Sequence, residues 1–564
     1  TGGTVDYYRM RASWPADQVM QAAATTPWAD VRPRLVGQDR VFEIEARDLA
    51  PERIPSDLPV RYRLTRIAQI TDMADWSAVS ILMAPLYERA ATLETDSPLT
   101  AEIERIRSAY ATDAERAAAA LRLVQDEVRY LSLSMGEGGY VPMSADDVWR
   151  YRYGDCKGKT VLLLALLHGL GIEAEAAMAS INNGDGMPDR LPLVSWFDHV
   201  LVRATIDGRT YWLDGARVGD RSLARLTPPS YGWVLPVRAQ GAALERIEQP
   251  QATVPTFETV VDTDATAGLD APAKMQMDII YYGNDAIRMR QQIGAIPVDQ
   301  VQTMMASSMS DSDSGFELES FDTRYDDELN AFHMIIRGTA PQGWVNSTGG
   351  RTMAIGDATL SIPYQAEREG VFAPYADAPY AVGHPYFART TTRIRLPGGG
   401  EGFQLEGGDQ ILEAGGYRME RRSTLKDGVA EITVSTTSLA DELPAADMAD
   451  ARVRAESLVN TTLRLRAPAS YVATSADLAR LDPGNDAVAD LIKRAQTLWD
   501  QGDTEAALVL LDAALEQEPD NVEALRTRGG VRFEENDDVG AAADFDRAVD
   551  LDPADVAAAV GQGR

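Results

Sequence analysis

The last eighty or so residues of this 564-residue chain repeat themselves, and that repetition narrows the fold more than any other feature. Ala507, Leu511, Ala514 and Pro519 return 34 positions later as Ala541, Phe545, Ala548 and Pro553, and Ala495 returns as Gly529. A 34-residue period with small residues at helix crossings and a proline closing the second helix means stacked helix pairs. The spacing predicts two pairs and the start of a third over residues 486–564. Such a unit buries its apolar faces only against its neighbours and presents a concave surface suited to a protein partner. Residues 486–564 hold 19 acidic and 7 basic residues, a net of −12, so the expected partner is basic or amphipathic. The alternative role is a structural cap on the region that precedes it.

The rest of the chain is too long for one hydrophobic core, and its texture changes along the way. Up to about Leu93, short alternating runs such as Val41–Ala46 and Val60–Arg66 mix with Pro51, Pro55 and Pro59. This predicts antiparallel strands and a β-rich N-terminal domain over residues 1–95, cut at its start. From Leu99, apolar residues recur at helical spacing: Ile103, Ile106, Tyr110, Ala117, Leu121, Val124 and Val128. A loop with Gly136, Gly138 and Gly139 follows, then a short helix and the most apolar helix of the chain, from about Cys156 to His168. Gly169 and Gly171 are its stop signals. Strand runs at Ala174–Ile181, Val200–Ile206 and Thr210–Leu213 complete an α+β unit over residues 96–245. Residues 246–470 alternate again, as in Met275–Tyr281, His333–Arg337, Thr391–Leu396 and Ala430–Val434, and predict one or two β-rich domains. The expected fold class is multidomain α+β with a helical tail.

Several functions are disfavoured at this level. With 54 basic against 86 acidic residues the net charge is −32, which repels nucleic acid. Cys156 is the only cysteine, so no disulfide forms within the chain, and four histidines at 168, 199, 333 and 384 do not make a zinc cage. No run approaches the roughly 20 apolar residues of a membrane-spanning helix. Neither a metal nor a cofactor is expected.

The chemistry concentrates around Cys156. The segment Arg152-Tyr-Gly-Asp-Cys-Lys-Gly-Lys-Thr160 sets the cysteine in the first turn of the apolar helix, with Lys157 and Lys159 beside it. A helix N-terminus and neighbouring ammonium groups stabilise a thiolate, the nucleophilic form. A buried, inert thiol is the competing reading, but the flanking Gly, Asp and Lys residues are turn chemistry and not a core strand. Gly154–Thr160 also approximates a phosphate-binding loop. It has three residues between its glycines where four are needed, and no apolar strand precedes it.

A thiolate nucleophile needs a base, and the base needs an orienting group. His199 opens an alternating run that ends at Asp207-Gly208, and Arg209-Thr-Tyr-Trp-Leu-Asp214 follows. Asp-Gly between two such runs is a two-residue hairpin turn. Pairing outward sets Ile206 against Arg209 and Val202 against Leu213, which puts Asp214 diagonally across from His199 on one face. Val200, Val202, Tyr211 and Leu213 take the opposite face and can pack on a core. His168, at the end of its helix, is expected to be structural.

These residues resemble a known family, the bacterial transglutaminase-like proteins of the papain-like cysteine-enzyme class. The resemblance rests on Val128-Arg-Tyr130, Gly138-Gly-Tyr-Val-Pro142, Arg152-Tyr-Gly-Asp-Cys-Lys157, Leu162-Leu-Leu-Ala-Leu-Leu167, Gly171-Ile172, Phe197-Asp-His199 and Tyr211-Trp-Leu-Asp214. Asp75-Trp76 and Leu86-Tyr87 resemble the β-rich domain that often precedes this core, and Tyr386–Ile394 resembles the β-rich domain that often follows. The C-terminal period is the tetratricopeptide signature.

The resemblance implies Cys156 as nucleophile, His199 as general base and acid, and Asp214 as orienting carboxylate. It implies the Cys156 N–H as half of an oxyanion hole, with Tyr130 or Tyr140 as candidates for the other half. The implied activity is acyl transfer on an amide bond of a peptide or protein, with hydrolysis favoured. The alternatives are transamidation or a noncatalytic binding scaffold. Gly158 and Gly215-Ala216 depart from the residues commoner in relatives at those positions. The chain opens with Thr1 and not Met. With its charge and the usual setting of such proteins, the expectation is a periplasmic or secreted bacterial protein whose signal peptide has been removed.

Overall fold

The apolar run Val161–Leu167 lies in the middle of the helix Cys156–Leu170, and all seven side chains are buried. Burying each aliphatic side chain is worth about 1.5–3 kcal/mol, so this helix is the natural centre of a core. The computed structural model describes residues 3–132, 139–310, 315–347, 350–355, 364, 368–456, 463–474, 476–477, 487–500 and 502–553. Gly136 and Gly138 of the glycine-rich loop, and the start of a third repeat beyond residue 553, lie outside the described residues.

Five helices make one layer: α1 (Trp76–Ala91), α2 (Leu99–Ala109), α3 (Asp113–Glu127), α4 (Ala145–Tyr151) and the central α5 (Cys156–Leu170). Against them lies an antiparallel sheet of β1 (Glu173–Ala179), β2 (His199–Ile206), β3 (Arg209–Leu213), β4 (Trp233–Pro236) and β5 (Glu245–Arg246), in the order β3-β2-β1-β4-β5. One core joins Met83, Ile103, Leu121 and Val148 of the helices to the α5 leucines and to Val200, Val202 and Leu213 of the sheet. The other face of the sheet buries Ala177, Leu201, Trp212 and Val234. Local signals explain the helix ends. Thr112 and Glu115 form a capping box at the start of α3, and Gly171, at φ 81°, takes the left-handed conformation that ends α5. Gly169 stays inside α5, where a Cβ would come 2.4 Å from Ile103 Cδ1.

Two stretches expected as strands are helical. Val60–Arg63 is a short helix, because the Asp185 carboxylate accepts the Arg61 N–H at 3.1 Å and satisfies a first-turn donor that nothing local would. Trp76–Ala91 is a sixteen-residue helix capped by Asp75, despite Pro85 within it. Its Val79, Met83, Tyr87 and Ala91 belong to the core around α5, so that core takes in residues upstream of 96. Within residues 246–470, an eight-stranded sheet runs from Glu317–Asp326 at one edge to Gln410–Ala414 at the other. Phe257–Asp264 and Phe387–Arg395 form its one parallel pair among the described residues. Two helices not foreseen there, Gly283–Gly294 and Val298–Ser310, cover the sheet through Ala286 and Val301.

The repeat region forms two antiparallel helix pairs: Val488–Asp500 with Thr504–Gln517, and Val522–Glu534 with Asp538–Leu551. Gly529 is small for a reason, since a Cβ there would meet the Phe545 ring at 2.9 Å. These helices bury a core of their own around Leu491, Leu510, Leu511 and Leu525.

Candidate active site

Cys156 is the first residue of α5. Asp155 caps the helix by accepting the Gly158 N–H at 2.9 Å, which fixes where the helix begins and so where the thiol stands. Gly158 leaves room for α4, since a Cβ there would come 3.1 Å from Val148 Cγ2. The thiol is 6% exposed. Its lysine neighbours do not flank it as the sequence suggested. Lys157 pairs with Asp155, and Lys159 turns into the interior, where its ammonium donates to the Val128 carbonyl at 2.7 Å. The titratable side chain that interacts with the thiol is His199, whose pKa is raised.

His199 stands at the start of β2, opposite Ala179 of β1. The hairpin has the expected register, Ile206 against Arg209 and Val202 against Leu213. That register carries Asp214 to His199: Nε2 and Oδ2 are 2.8 Å apart, and both side chains are buried. With Nε2 engaged by Asp214, the other ring nitrogen, Nδ1, is left free to face a second partner, and the Cys156 side chain is near enough to act on the ring. Burial opposes charge on this imidazole, but the hydrogen bonds to Asp214 and Cys156 outweigh it and push its pKa up to about 10. Burial likewise works against ionising Asp214, yet His199, the Tyr231 hydroxyl and the Ala216 N–H together hold its carboxyl below the ordinary range.

Sequence reasoning missed two supports of Asp214. Tyr231 donates to Asp214 Oδ2 at 2.9 Å and lays its ring edge-on against His199, with centroids 5.1 Å apart. Gln125 of α3 is buried, donates to the Asp214 carbonyl at 3.0 Å and to Asp220 at 2.8 Å, and accepts the Asp220 N–H at 3.0 Å. Neither residue sits in a motif. Only its apolar neighbours Leu121, Val124 and Val128 marked the buried side of α3. Gly215 is explained by the same packing, since a Cβ would stand 3.1 Å from Val124 Cγ1.

The two tyrosine candidates part company. Tyr130 lies on a two-residue strand, Arg129–Tyr130, paired in parallel with Tyr153–Gly154 just before the nucleophile. Tyr130 is itself half-exposed, yet its phenol is close enough to respond to the nucleophile: partial burial, then Cys156 and Asp155, push its pKa up. Tyr140 lies in a turn and is half-exposed. The remaining histidines are held elsewhere. His168 meets the Ala174 carbonyl, His333 pairs with Asp278, and His384 lies between Ser438 and the Gln249 carbonyl. Among the described residues no three His, Cys, Asp or Glu side chains converge as metal ligands, and no helix is long and apolar enough to cross a membrane.

No curated protein matches the chain. Residues 492–556 match the tetratricopeptide repeat family. Among solved structures, a protein of Parabacteroides distasonis described as a "putative protease" superposes with a TM-score of 0.50 at 12% identity, covering 82% of this chain and 73% of that one. A "putative cysteine protease" of Cytophaga hutchinsonii covers 43% of this chain and 78% of its own at 14% identity, but its TM-score of 0.19 carries no structural argument. At 12% identity the first likeness establishes a shared fold. The chain thus joins a tetratricopeptide repeat match at residues 492–556 to a fold shared with that solved structure.

Proposed function

We propose that this protein is a cysteine acyl-transfer enzyme that hydrolyses an amide bond in a peptide or protein. The observation that carries the reading is the placement of His199 between the Asp214 carboxylate and the Cys156 thiol, at the N-terminus of a buried helix. A positively charged imidazole held in this way favours the thiolate as its partner. The thiolate attacks the carbonyl carbon, and the developing oxyanion is met by the Cys156 N–H and the Tyr130 hydroxyl. His199 passes its proton from Nδ1 to the leaving amine, and the C–N bond breaks to leave a thioester on Cys156. Water then attacks the thioester with His199 as base, releasing the acid and restoring the thiol. Asp214 keeps the imidazole in one orientation throughout, braced by Tyr231.

The test is an unbiased digest. Wild-type protein and Cys156→Ala are incubated with a peptide library, with and without a primary amine, and the products are read by mass spectrometry. New peptide termini made only by the wild type support hydrolysis. Amine adducts in their place would make it a transamidase, and no difference between the two proteins would overturn the catalytic reading.

Place and partner belong to the same proposal. We assign the protein to the periplasm or the exterior of a bacterium, and fractionation of cells expressing the full gene tests this. The acidic repeats over 486–564 are assigned to capture of a basic or amphipathic protein segment.

A further inference from the structure

The mechanism makes no use of one buried charge. Lys159 lies on α5 one turn beyond Cys156 and is 1% exposed. Burial lowers its pKa to about 8, with the Asp214 and Asp126 carboxylates working the other way. An ammonium in such a place costs free energy unless its bonds are well used, and an apolar side chain would pack there more cheaply.

The bond it makes is specific. Its Nζ donates to the Val128 carbonyl at 2.7 Å. Val128 ends α3, and the next two residues are the strand that presents Tyr130. That strand is short: the Arg129 N–H donates to the Arg152 carbonyl at 2.9 Å, and the Leu131 N–H to the Gly154 carbonyl at 3.1 Å. Lys159 therefore ties the helix that begins at Cys156 to the strand that carries Tyr130, by a charge-assisted bond in a dry interior. Its other side bears on the loop of the carboxylate. A Cβ on Gly215, next to Asp214, would stand 3.4 Å from both the Cβ and the carbonyl oxygen of Lys159.

We propose that Lys159 is a positioning residue of the acyl-transfer site: by holding the Val128 carbonyl it fixes the Tyr130 hydroxyl at the place where the oxyanion forms beside Cys156. The inference rests on the cysteine acyl-transfer reading. Misplacing a catalytic donor by about 1 Å can cost roughly 10²-fold in rate, so a tether of this kind is worth a buried charge.

The test uses the full chain and p-nitrophenyl acetate, an ester that needs no knowledge of the natural substrate. Cys156 sulfur bonds to the acetyl carbon, the C–O bond breaks, and p-nitrophenolate is released and measured. If the wild type releases no more than Cys156→Ala, the acyl-transfer reading itself falls, whatever Lys159 does. Given that activity, Lys159→Met should lower the acylation rate by roughly 10- to 100-fold with KM nearly unchanged. Tyr130→Phe should lower it similarly, and adding Lys159→Met to Tyr130→Phe should cost less than about 2-fold more, because the group being positioned is already gone. A wild-type rate in Lys159→Met, or losses that simply multiply, would overturn the inference. Should Lys159→Met not fold by circular dichroism, Lys159→Gln, which keeps a donor without the charge, enters the same cycle. A chain that folds with neither makes Lys159 a folding residue and also overturns it.

Discussion

His199 Nε2 and Asp214 Oδ2 lie 2.8 Å apart although fifteen residues separate them, because the hairpin between them turns at Asp207-Gly208 and pairs Val202 with Leu213. Asp207 at φ 51° and Gly208 at φ 74° are both left-handed, as a two-residue turn of this hand requires. Asp214→Asn keeps the shape but removes the charge and the tautomer preference. We expect kcat on any identified substrate to fall by roughly 10³–10⁴-fold with the circular dichroism spectrum unchanged. A fall under tenfold would remove Asp214 from the mechanism.

Protonated His199 should stabilise the fold in a defined pH window. Its pKa is raised from 6.5 to about 10, with burial opposing the shift and the hydrogen bonds to Asp214 and Cys156 driving it. A group raised in the folded state contributes fully below its unfolded value and loses that contribution as pH climbs through the folded one. Urea midpoints of wild type and His199→Gln should therefore differ most near pH 6 and converge toward pH 10. A gap that does not change with pH would contradict the assignment.

Tyr231→Phe deletes the hydroxyl that Asp214 accepts at 2.9 Å and keeps the ring that packs on His199. Losing a hydrogen bond to a buried carboxylate should lower unfolding free energy by about 1.5–3 kcal/mol, read by urea denaturation. The rate should fall about tenfold, since Asp214 and its partner imidazole lose a brace.

Cys156 should react with iodoacetamide in the native protein at neutral pH, and Cys156→Ser should fold as the wild type does. Mass spectrometry of the labelled chain over time measures this. Labelling that waits for denaturant would restore the reading of an inert buried thiol.

Cutting the chain after Asp482 removes the repeats and leaves Asp477, whose carboxylate binds the Asp270 N–H at 2.8 Å and the Tyr471 hydroxyl at 2.7 Å. Because the repeats bury their own core, the shortened protein should fold and still acylate on a small ester while losing capture of basic peptides, measured by calorimetry. Failure to fold would instead make the repeats a structural cap.

What the sequence determined by itself was local. The Asp-Gly turn set the register that joins His199 to Asp214. The run Val161–Leu167 marked the helix that had to be buried, and the 34-residue period marked Gly529 as a small residue at a helix crossing, which the structure fills with Phe545. Each is a statement about neighbours in the chain or about a fixed repeat, and sterics and burial act there without reference to the rest of the molecule. Tertiary structure decided the remainder. Trp76–Ala91 carries its apolar residues at helical spacing, but prolines around and within it read as strand and turn until α5 is there to receive Met83 and Tyr87. Lys157 and Lys159 looked alike beside the thiol, and only the position of Asp155 and the Val128 carbonyl sends one to the helix cap and the other inward. Tyr231 and Gln125 reach Asp214 from 17 and 89 residues away. A hydrogen bond of that kind leaves no periodicity, because it depends on where two separately folded segments meet and not on the spacing of residues within either.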